Sequence, residues 1–314
     1  MINTYGDKII KKCVFLLFGS LVLFPLSVFS QKTKQEADTN TGFEVFFNAG
    51  MYLGDKYNAN YYQGYPDPMN RNDADPNIGY VLGNKFWRDE IWHLIYDKNH
   101  NDIVDTFFRF EGVSNMKYNL AFAFGVGLRY RFSESFTMSL LFSQVGLTAD
   151  GLASFGVNGR GANLDNGIMY LNYKVMGKER RIFLELNASY LFETVYPSIF
   201  PFLELGVHVN NVKVLKSELI VEKQAFSMID MYGGMAYVPG IDHTSINPYL
   251  GGIGYGFMGG VGLRLALNKW AAVEPVIQVN MEKVNLSSYG KMRPNYHFIV
   301  RISAGDRLFK KNQQ

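Results

Sequence analysis

The sequence predicts an all-β protein that crosses a membrane as an antiparallel up-and-down β-barrel. Three observations lead to this fold class: segments of about ten residues in which large apolar and small or polar residues alternate, connections that are long and short in turn, and a segment typical of an export signal at the N-terminus. Residues 118–132 carry large apolar or aromatic side chains at even positions and Asn, Ala, Gly or Arg at odd positions. Because successive side chains of a strand point to opposite faces, this segment has one continuous apolar face.

Composition excludes several other classes. The 314 residues include 31 Lys and Arg, 28 Asp and Glu, a single Cys and 15% aromatic residues. A disordered chain is poor in aromatic residues, and a disulfide-stapled secreted domain needs several cysteines. The balanced charge argues against nucleic acid as a partner. The same totals would suit a soluble enzyme, so the membrane barrel is predicted from the positions of the residues.

The first element is a predicted signal peptide at residues 1–30. It has a basic start, an apolar run at 13–26 and small side chains before a cut after Ser30, which is the layout of a secretory signal. An uncleaved anchor would need about 20 apolar residues to span a bilayer. The only cysteine, Cys13, lies inside this segment. Residues 31–41 are then a short periplasmic N-terminal segment.

Eight membrane strands follow from the same alternation. The non-apolar face of these segments is rich in Gly, Ala, Ser and Asn with isolated Arg and Glu, which is typical of a crowded barrel interior rather than of a wet sheet face. Two further β-like pieces, 168–175 and 214–223, are either hairpins that extend above the membrane or another strand pair, which would make ten. The eight predicted strands are 43–52, 118–132, 136–145, 182–193, 203–210, 253–268, 271–282 and 296–304.

The lengths of the connections predict which end of the barrel faces the cell surface and which faces the periplasm. Long connections are predicted as extracellular loops and short ones as periplasmic turns, so that both termini lie in the periplasm of a cell with an outer membrane. The barrel covers 42–309, and 310–314 is a C-terminal tail. The long loops are 54–116, 150–180 and 211–250, and the short turns are 133–135, 194–200 and 268–270.

Charged side chains on the inward faces predict an ionic network in the lumen. The short turn at Lys269 sets Arg264 opposite Glu274, and several other charges lie at a similar height near the periplasmic edge. Eight strands leave room only for side chains, which favours a filled interior over an ion or proton path. The predicted network consists of Glu44, Arg129, Arg131, Glu185, Glu204, Arg264, Glu274 and Arg301. Glu282, His208 and His297 are also assigned to the inward faces.

The first long loop, 54–116, is the most distinctive connection. It begins with tyrosines among Asn and Asp and contains an amphipathic pattern at 86–96 that predicts a helix. Such a loop suits contact with a surface ligand or with a partner in a membrane complex. It suits equally a loop that packs on itself and caps the barrel.

Two sets of residues resemble a catalytic group and a metal-binding loop. Glu204 and His208 share a strand face and Ser189 lies on the preceding strand, so a charge-oriented His near a hydroxyl is one candidate catalytic group. No outward face offers a Ser/His pair toward lipid, and no catalytic residue is predicted. Residues 97–105 carry Asp and Asn at the spacing of a calcium loop, but neither the turn glycine nor the bidentate Glu is present. No metal and no cofactor are predicted.

The glycine-aromatic alternation also supports a resemblance. Over 42–309 the chain resembles small Gram-negative outer-membrane barrels of the OmpA, OmpX and OmpW type, with Lys310 and four further residues after Phe309 where such barrels end in an aromatic residue. The resemblance implies outer-membrane lipid, lipopolysaccharide and the outer-membrane assembly machinery as partners. It rests on the phrase Gly252-Ile253-Gly254-Tyr255-Gly256-Phe257, followed by Gly262-Leu263-Arg264.

These observations predict a non-enzymatic barrel with a filled lumen, which acts through its surface loops in structure, in adhesion or as an accessory to a membrane complex. Two alternatives stay open. One is a narrow channel for small or apolar solutes, as the OmpW type implies, and the other is an enzyme that modifies lipid A.

Overall fold

A computed structural model describes residues 42–65, 75–99, 103–159, 168–196, 198–232, 238–241, 249–267 and 271–305. The predicted signal peptide, the segment 31–41, the turn 268–270 and the tail 310–314 with Phe309 lie outside the described residues. The strands are Gly42–Leu53 (β1), Ile103–Val113 (β2), Lys117–Tyr118 (β3), Ala121–Arg131 (β4), Phe136–Gly159 (β5), Ile168–Leu191 (β6), Ile199–Val221 (β7), Gln224–Ser227 (β8), Gly251–Ala266 (β9), Ala271–Lys283 (β10) and Met292–Gly305 (β11). The α-helices are Lys56–Ala59 (α1), Ile78–Gly83 (α2) and Lys85–Asn99 (α3).

Eight of the strands form a ring. Each of β1, β4, β5, β6, β7, β9, β10 and β11 is antiparallel to its neighbours, and β11 pairs back with β1. The predicted eight-stranded up-and-down barrel is therefore confirmed. The ten-strand alternative is wrong, because 168–175 belongs to β6 and 214–221 belongs to β7. The outward residues that join these pieces to the apolar belt, Lys178 and Arg180 on β6 and Lys213 on β7, are charged, so the sequence pattern separates the pieces from the membrane strands.

The outward face of the barrel is a continuous apolar belt. Phe122, Leu205 and Ile253 are 64%, 70% and 72% exposed. Aromatic rings gather at the end that carries the short connections, where Tyr130 and Phe132 have ring centroids 4.7 Å apart. An apolar band with an aromatic border is what a bilayer requires of a transmembrane barrel. We call this end the turn end and the opposite end the cap end.

No described helix has the length and apolar character needed to cross a bilayer.

Three strands are much longer than the belt. β5 and β6 have 24 residues each and β7 has 23, whereas β1 has 12. Their upper halves continue beyond the belt, where β2 and β3 pair with β5 and β8 pairs with β7. Much of the predicted loops 150–180 and 211–250 is therefore regular sheet. The alternation of the inner face continues through them.

The first connection folds against the inner face of this extension. We call the cap the helices α1 to α3, the 3-10 turn Asn60–Gln63, β2, β8 and the upper halves of β5 to β7. Its apolar core includes Tyr62, Phe155 and Val175. α3 buries Trp87, Ile91 and Ile95, which are spaced by four residues and so lie on one face. This confirms the amphipathic helix predicted at 86–96.

Candidate functional site

The candidate site is the lumen together with the part of the cap that covers its mouth. Inward side chains at the turn end form the lower cluster, which consists of Glu44, Arg129, Arg131, Glu204, Arg264, Glu274 and Arg301. The strand register brings them to one height: Glu44 is the partner of Arg129, and Glu274 is the partner of Arg301. The pairs Ala272↔Ala266 and Val276↔Gly262 flank Glu274 and Arg264.

Glu274 lies at the centre of the lower cluster. Its two carboxylate oxygens accept hydrogen bonds from Nη1 and Nη2 of Arg129 at 2.7 and 2.8 Å. Nη1 of Arg264 donates to the same carboxylate at 2.6 Å, and Nη1 of Arg301 at 3.5 Å. Because Glu274 is 1% exposed, these charges interact with little screening by water.

Two further carboxylates complete the lower cluster. Glu44 accepts from Nη2 of Arg131 at 2.7 Å and from both terminal nitrogens of Arg264, at 3.0 and 2.9 Å. Glu204 accepts from Arg301 at 2.9 and 3.1 Å. Charged, bidentate hydrogen bonds of this kind are stronger than neutral ones and fix the side chains in one arrangement. The cluster fills the cross-section of the lumen near the turn end.

Glu185 is the predicted network residue that the structure does not bring into this cluster. It lies one level higher, opposite His208, and accepts from Ser143 Oγ at 3.3 Å and from Gln278 Nε2 at 3.4 Å. Within the described residues, no Lys or Arg lies within ion-pair distance of Glu185. Its height differs because it is farther from the turn end of β6 than Glu204 is from that end of β7.

A second set of charges lies at the cap end, and of its three ionic side chains only Glu282 was predicted to face inward. We call the upper cluster Glu179, Arg181 and Glu282 with the hydroxyls of Tyr52, Tyr62 and Tyr118. Arg181 donates from Nε to Glu179 at 2.6 Å and from Nη1 to Glu282 at 3.0 Å. Tyr52 also donates to Glu282. All three ionic side chains are fully buried.

The sequence contained a signal for two of these residues. The predicted strand begins at residue 182 and so excludes Glu179 and Arg181, although they share the odd parity that places Glu185 inward. Tyr118 was predicted on the outward apolar face, and that prediction is wrong. It pairs with Ala149, whereas Ala123 pairs with Val145, so the register shifts by one residue between β3 and β4. Such a shift moves a side chain to the opposite face.

The cap contributes a side chain directly to the upper cluster. The Tyr62 hydroxyl donates to Glu179 at 2.6 Å, beside the Tyr118 hydroxyl at 2.9 Å. The Tyr62 ring lies on Gly177, where an added Cβ would be 2.1 Å from its Cγ. Burial raises the pKa of Tyr62 well above its ordinary value, and the neighbouring Glu179 carboxylate raises it further. The hydroxyl therefore stays a neutral donor.

The segment that carries Tyr62 spans the mouth of the barrel. While Tyr62 contacts β6, the Asn58 amide donates to the Tyr289 carbonyl at 2.8 Å between β10 and β11. The backbone N–H of Asp55 donates to Asn295 Oδ1 at 2.6 Å. Residues 55–63 are therefore held by opposite walls, above the upper cluster.

Of the three residues considered for catalysis, the structure brings Ser189 and Glu204 together and leaves His208 apart from them. Ser189 Oγ donates to Glu204 at 2.9 Å, whereas His208 Nε2 faces the Glu282 carboxylate of the upper cluster at 3.6 Å. Of the calcium-like spacing, Asn101 and Asp102 lie outside the described residues. The described part of the chain contains no group of three or more His, Cys, Asp or Glu arranged to hold a metal ion.

Comparison with solved structures finds small barrels at low identity. Neisserial surface protein A is 9% identical with a TM-score of 0.38, over 84% of this chain and 96% of that one. The outer membrane protein OprG of Pseudomonas aeruginosa is 12% identical with a TM-score of 0.33, over 85% and 95%. The N-terminal β-barrel domain of OprF from the same organism is 8% identical with a TM-score of 0.31, over 84% and 98%. The chain is thus similar to small outer-membrane β-barrel proteins. No family model and no curated protein sequence matches it.

Proposed function

We propose that the protein is a non-enzymatic outer-membrane barrel whose lumen is blocked and whose cap, on the cell surface, carries its activity in structure, in adhesion or as an accessory to a membrane complex. The observation that carries this proposal is the double closure of the lumen. The lower cluster fills the turn end, and residues 55–63 cover the cap end above the upper cluster. Eight strands leave no further room for an aqueous path around such side chains.

The exterior of the cap offers a surface for a partner. The rings of Trp92 and Phe108, both half-buried against the cap core, are stacked with centroids 6.1 Å apart and planes at 6°, and the Tyr96 ring lies 5.6 Å from that of Trp92. Tyr96 is 40% exposed. Aromatic side chains are common anchors of protein interfaces because they bury a large area at little entropic cost. This aromatic strip on α3 and β2 supports the predicted contact through loop 54–116.

Orientation in the membrane is the first test of the proposal. The only cysteine is Cys13, in the predicted signal, so a single introduced thiol reports its own location. Intact cells that express Asp89→Cys, on the exposed face of α3, should react with a membrane-impermeant maleimide. The matched variant Glu134→Cys, in the turn between β4 and β5, should react only after the outer membrane is opened. The reverse pattern would contradict a surface cap and periplasmic termini.

Conductance is the second test. The full-length protein in planar lipid bilayers should pass no ohmic current, because both ends of the lumen are filled by desolvated ion pairs. A steady current through the unmodified protein would favour the narrow-channel alternative. One observation supports that alternative: Glu185, in the middle of the lumen, faces His208 and polar side chains instead of a permanent cation.

The lipid A enzyme alternative has less support, because the hydroxyl of Ser189 is bonded to the Glu204 carboxylate in the lower cluster. Mass spectrometry of lipid A from cells with and without the protein tests it. An identical lipid A profile is expected, and a shifted acyl or phosphate pattern that disappears in Ser189→Ala would overturn the non-enzymatic proposal.

The assembly machinery of the outer membrane and the surrounding lipid with lipopolysaccharide are the general partners in this proposal. Heat-modifiable migration of the full chain on a gel, which separates folded barrels from unfolded chains, tests the insertion step. A chain that migrates identically before and after boiling would argue against a stable membrane barrel.

A further inference from the structure

Two pairs of like charges face outward side by side on β6 and β7. Arg180 is the cross-strand partner of Lys213, and Lys178 is the partner of Lys216. Lys178, Arg180 and Lys216 are exposed and Lys213 is half-buried. Directly opposed residues of an antiparallel pair have Cβ atoms about 4.5–5.5 Å apart, so like charges there destabilise the sheet. Two successive pairs of this kind concentrate four cations on one wall.

Acidic side chains nearby neutralise few of these cations. Glu218 pairs with Lys216 at 3.0 Å, and Asp150 is engaged by Lys174 at 2.9 Å. Among the described residues, no carboxylate lies within ion-pair distance of Lys178, Arg180 or Lys213. Lys213 contacts instead the ring of Tyr249, whose centroid is 5.9 Å from Nζ. The wall therefore carries positive charge that the described protein does not compensate.

The position of these cations on the barrel indicates what compensates them. On the same face of β6, Ile182 and the exposed Leu184 follow Arg180 toward the turn end, and on β7 the exposed Val209 and Val207 lie below Lys213. Arg180 is two residues above Ile182, about 7 Å along the strand. The cations therefore stand at the border of the apolar belt, at the height where lipid head groups lie.

Space for a head group is present beside Arg180. On the other side of β6 its cross-strand partner is Gly146, and a Cβ added at Gly146 would meet no atom within 4 Å. A guanidinium fork binds two oxygens of one phosphate, and ammonium groups add point charges. A lipid whose acyl chains lie on Leu184 and Val207 would bring its phosphate to this level.

We propose that Lys178, Arg180, Lys213 and Lys216, which we call the cationic patch, bind the phosphate groups of a phosphorylated glycolipid in the outer leaflet. The inference rests on the proposed orientation of the cap toward the cell surface and deepens it. The proposed function names the surrounding lipid only as a general partner, whereas this inference identifies the residues that bind one class of lipid.

The test uses the full-length protein in detergent, titrated with bis-phosphorylated lipid A and followed by native mass spectrometry. Each cation near a membrane surface contributes about fivefold in affinity, so Lys178→Gln with Arg180→Gln should weaken binding about thirtyfold, or about 2 kcal/mol. The matched control is Lys85→Gln with Arg88→Gln, which removes the same charge from the exposed face of α3 and should leave the affinity unchanged. All three proteins should show the same heat-modifiable migration.

Several results would overturn the inference. Unchanged affinity in the patch variant would show that these cations do not bind the lipid, and an equal loss in the control would show a nonspecific charge effect. Lipid A stripped of its phosphates should bind weakly, and equal binding would refute phosphate recognition. Complete displacement of lipid A by excess inorganic phosphate would show that the free anion is the ligand. Because this assay does not depend on membrane orientation, its failure is distinct from a failure of the Asp89→Cys labelling.

Discussion

Replacing Glu274 by Gln removes the central charge of the lower cluster while keeping its shape. Arg264 would still contact Glu44 at 3.0 and 2.9 Å, and Arg301 would still contact Glu204 at 2.9 Å. Arg129 would lose its bidentate partner and keep only Glu44 at 3.4 Å. Because Arg129 is 3% exposed, its charge would be buried with little compensation. Removing one partner of a buried ion pair costs about 3–5 kcal/mol, so the free energy of unfolding should fall by that amount.

The measurement is urea unfolding of the full chain in lipid vesicles, with the folded fraction read from the heat-modifiable band. Glu193→Gln, an exposed acid near the turn end, is the matched control and should change stability by less than about 0.5 kcal/mol. The double variant with Arg129→Gln and Glu274→Gln removes both charges and should be more stable than the sum of the single losses predicts. A loss below about 1 kcal/mol for Glu274→Gln would refute the reasoning, because it would mean that water already screens the cluster.

Three further predictions concern the cap. Gly177→Ala should displace the Tyr62 ring, since no Cβ fits there, and should increase proteolysis of 55–63 in the folded protein; unchanged proteolysis would contradict the contact. Tyr62→Phe removes one of three donors to Glu179 and should lower the local stability of 55–63 by about 1 kcal/mol, which speeds hydrogen exchange there about fivefold; Tyr96→Phe, at a 40% exposed residue of α3, is the control. Burial raises the pKa of Tyr173 to about 12, so its contribution to stability is complete below about pH 10 and is lost as the pH rises toward about 12; a pH titration of unfolding checks this, and a constant stability across that range would contradict it.

The barrel was predictable because its signal is local. Alternation along each strand gives the inward and outward faces without knowledge of the partner strand, and a tight turn fixes the register of its two strands, which is why Arg264 could be set opposite Glu274. The cap was less predictable. Above the belt the outward residues of β6, such as Lys178, are charged, so the segment no longer reads as a membrane strand. The face of Tyr118 was predicted wrongly because it depends on a one-residue register shift between β3 and β4.

The contact between Tyr62 and Glu179 could not be read from the sequence at all. It joins residues separated by 117 positions, and it exists only when the first connection folds back over the mouth of the barrel. Local periodicity predicts the helix α3 in that connection but not where the connection lies. Tertiary packing of the cap core decides that position.

The two clusters differ in what holds them together. Every member of the lower cluster lies on a barrel strand, so its arrangement follows from strand register alone and does not need the cap. The upper cluster takes Tyr62 from the cap, so a displacement of the cap would leave Glu179 with Tyr118 and Arg181 as its remaining donors. Displacement of the cap therefore weakens the upper cluster and leaves the lower cluster intact. Tyr62→Ala should accordingly leave the lumen without current, whereas the same substitution combined with Glu274→Gln weakens both ends. A steady current in Tyr62→Ala alone would show that the lower cluster does not close the barrel.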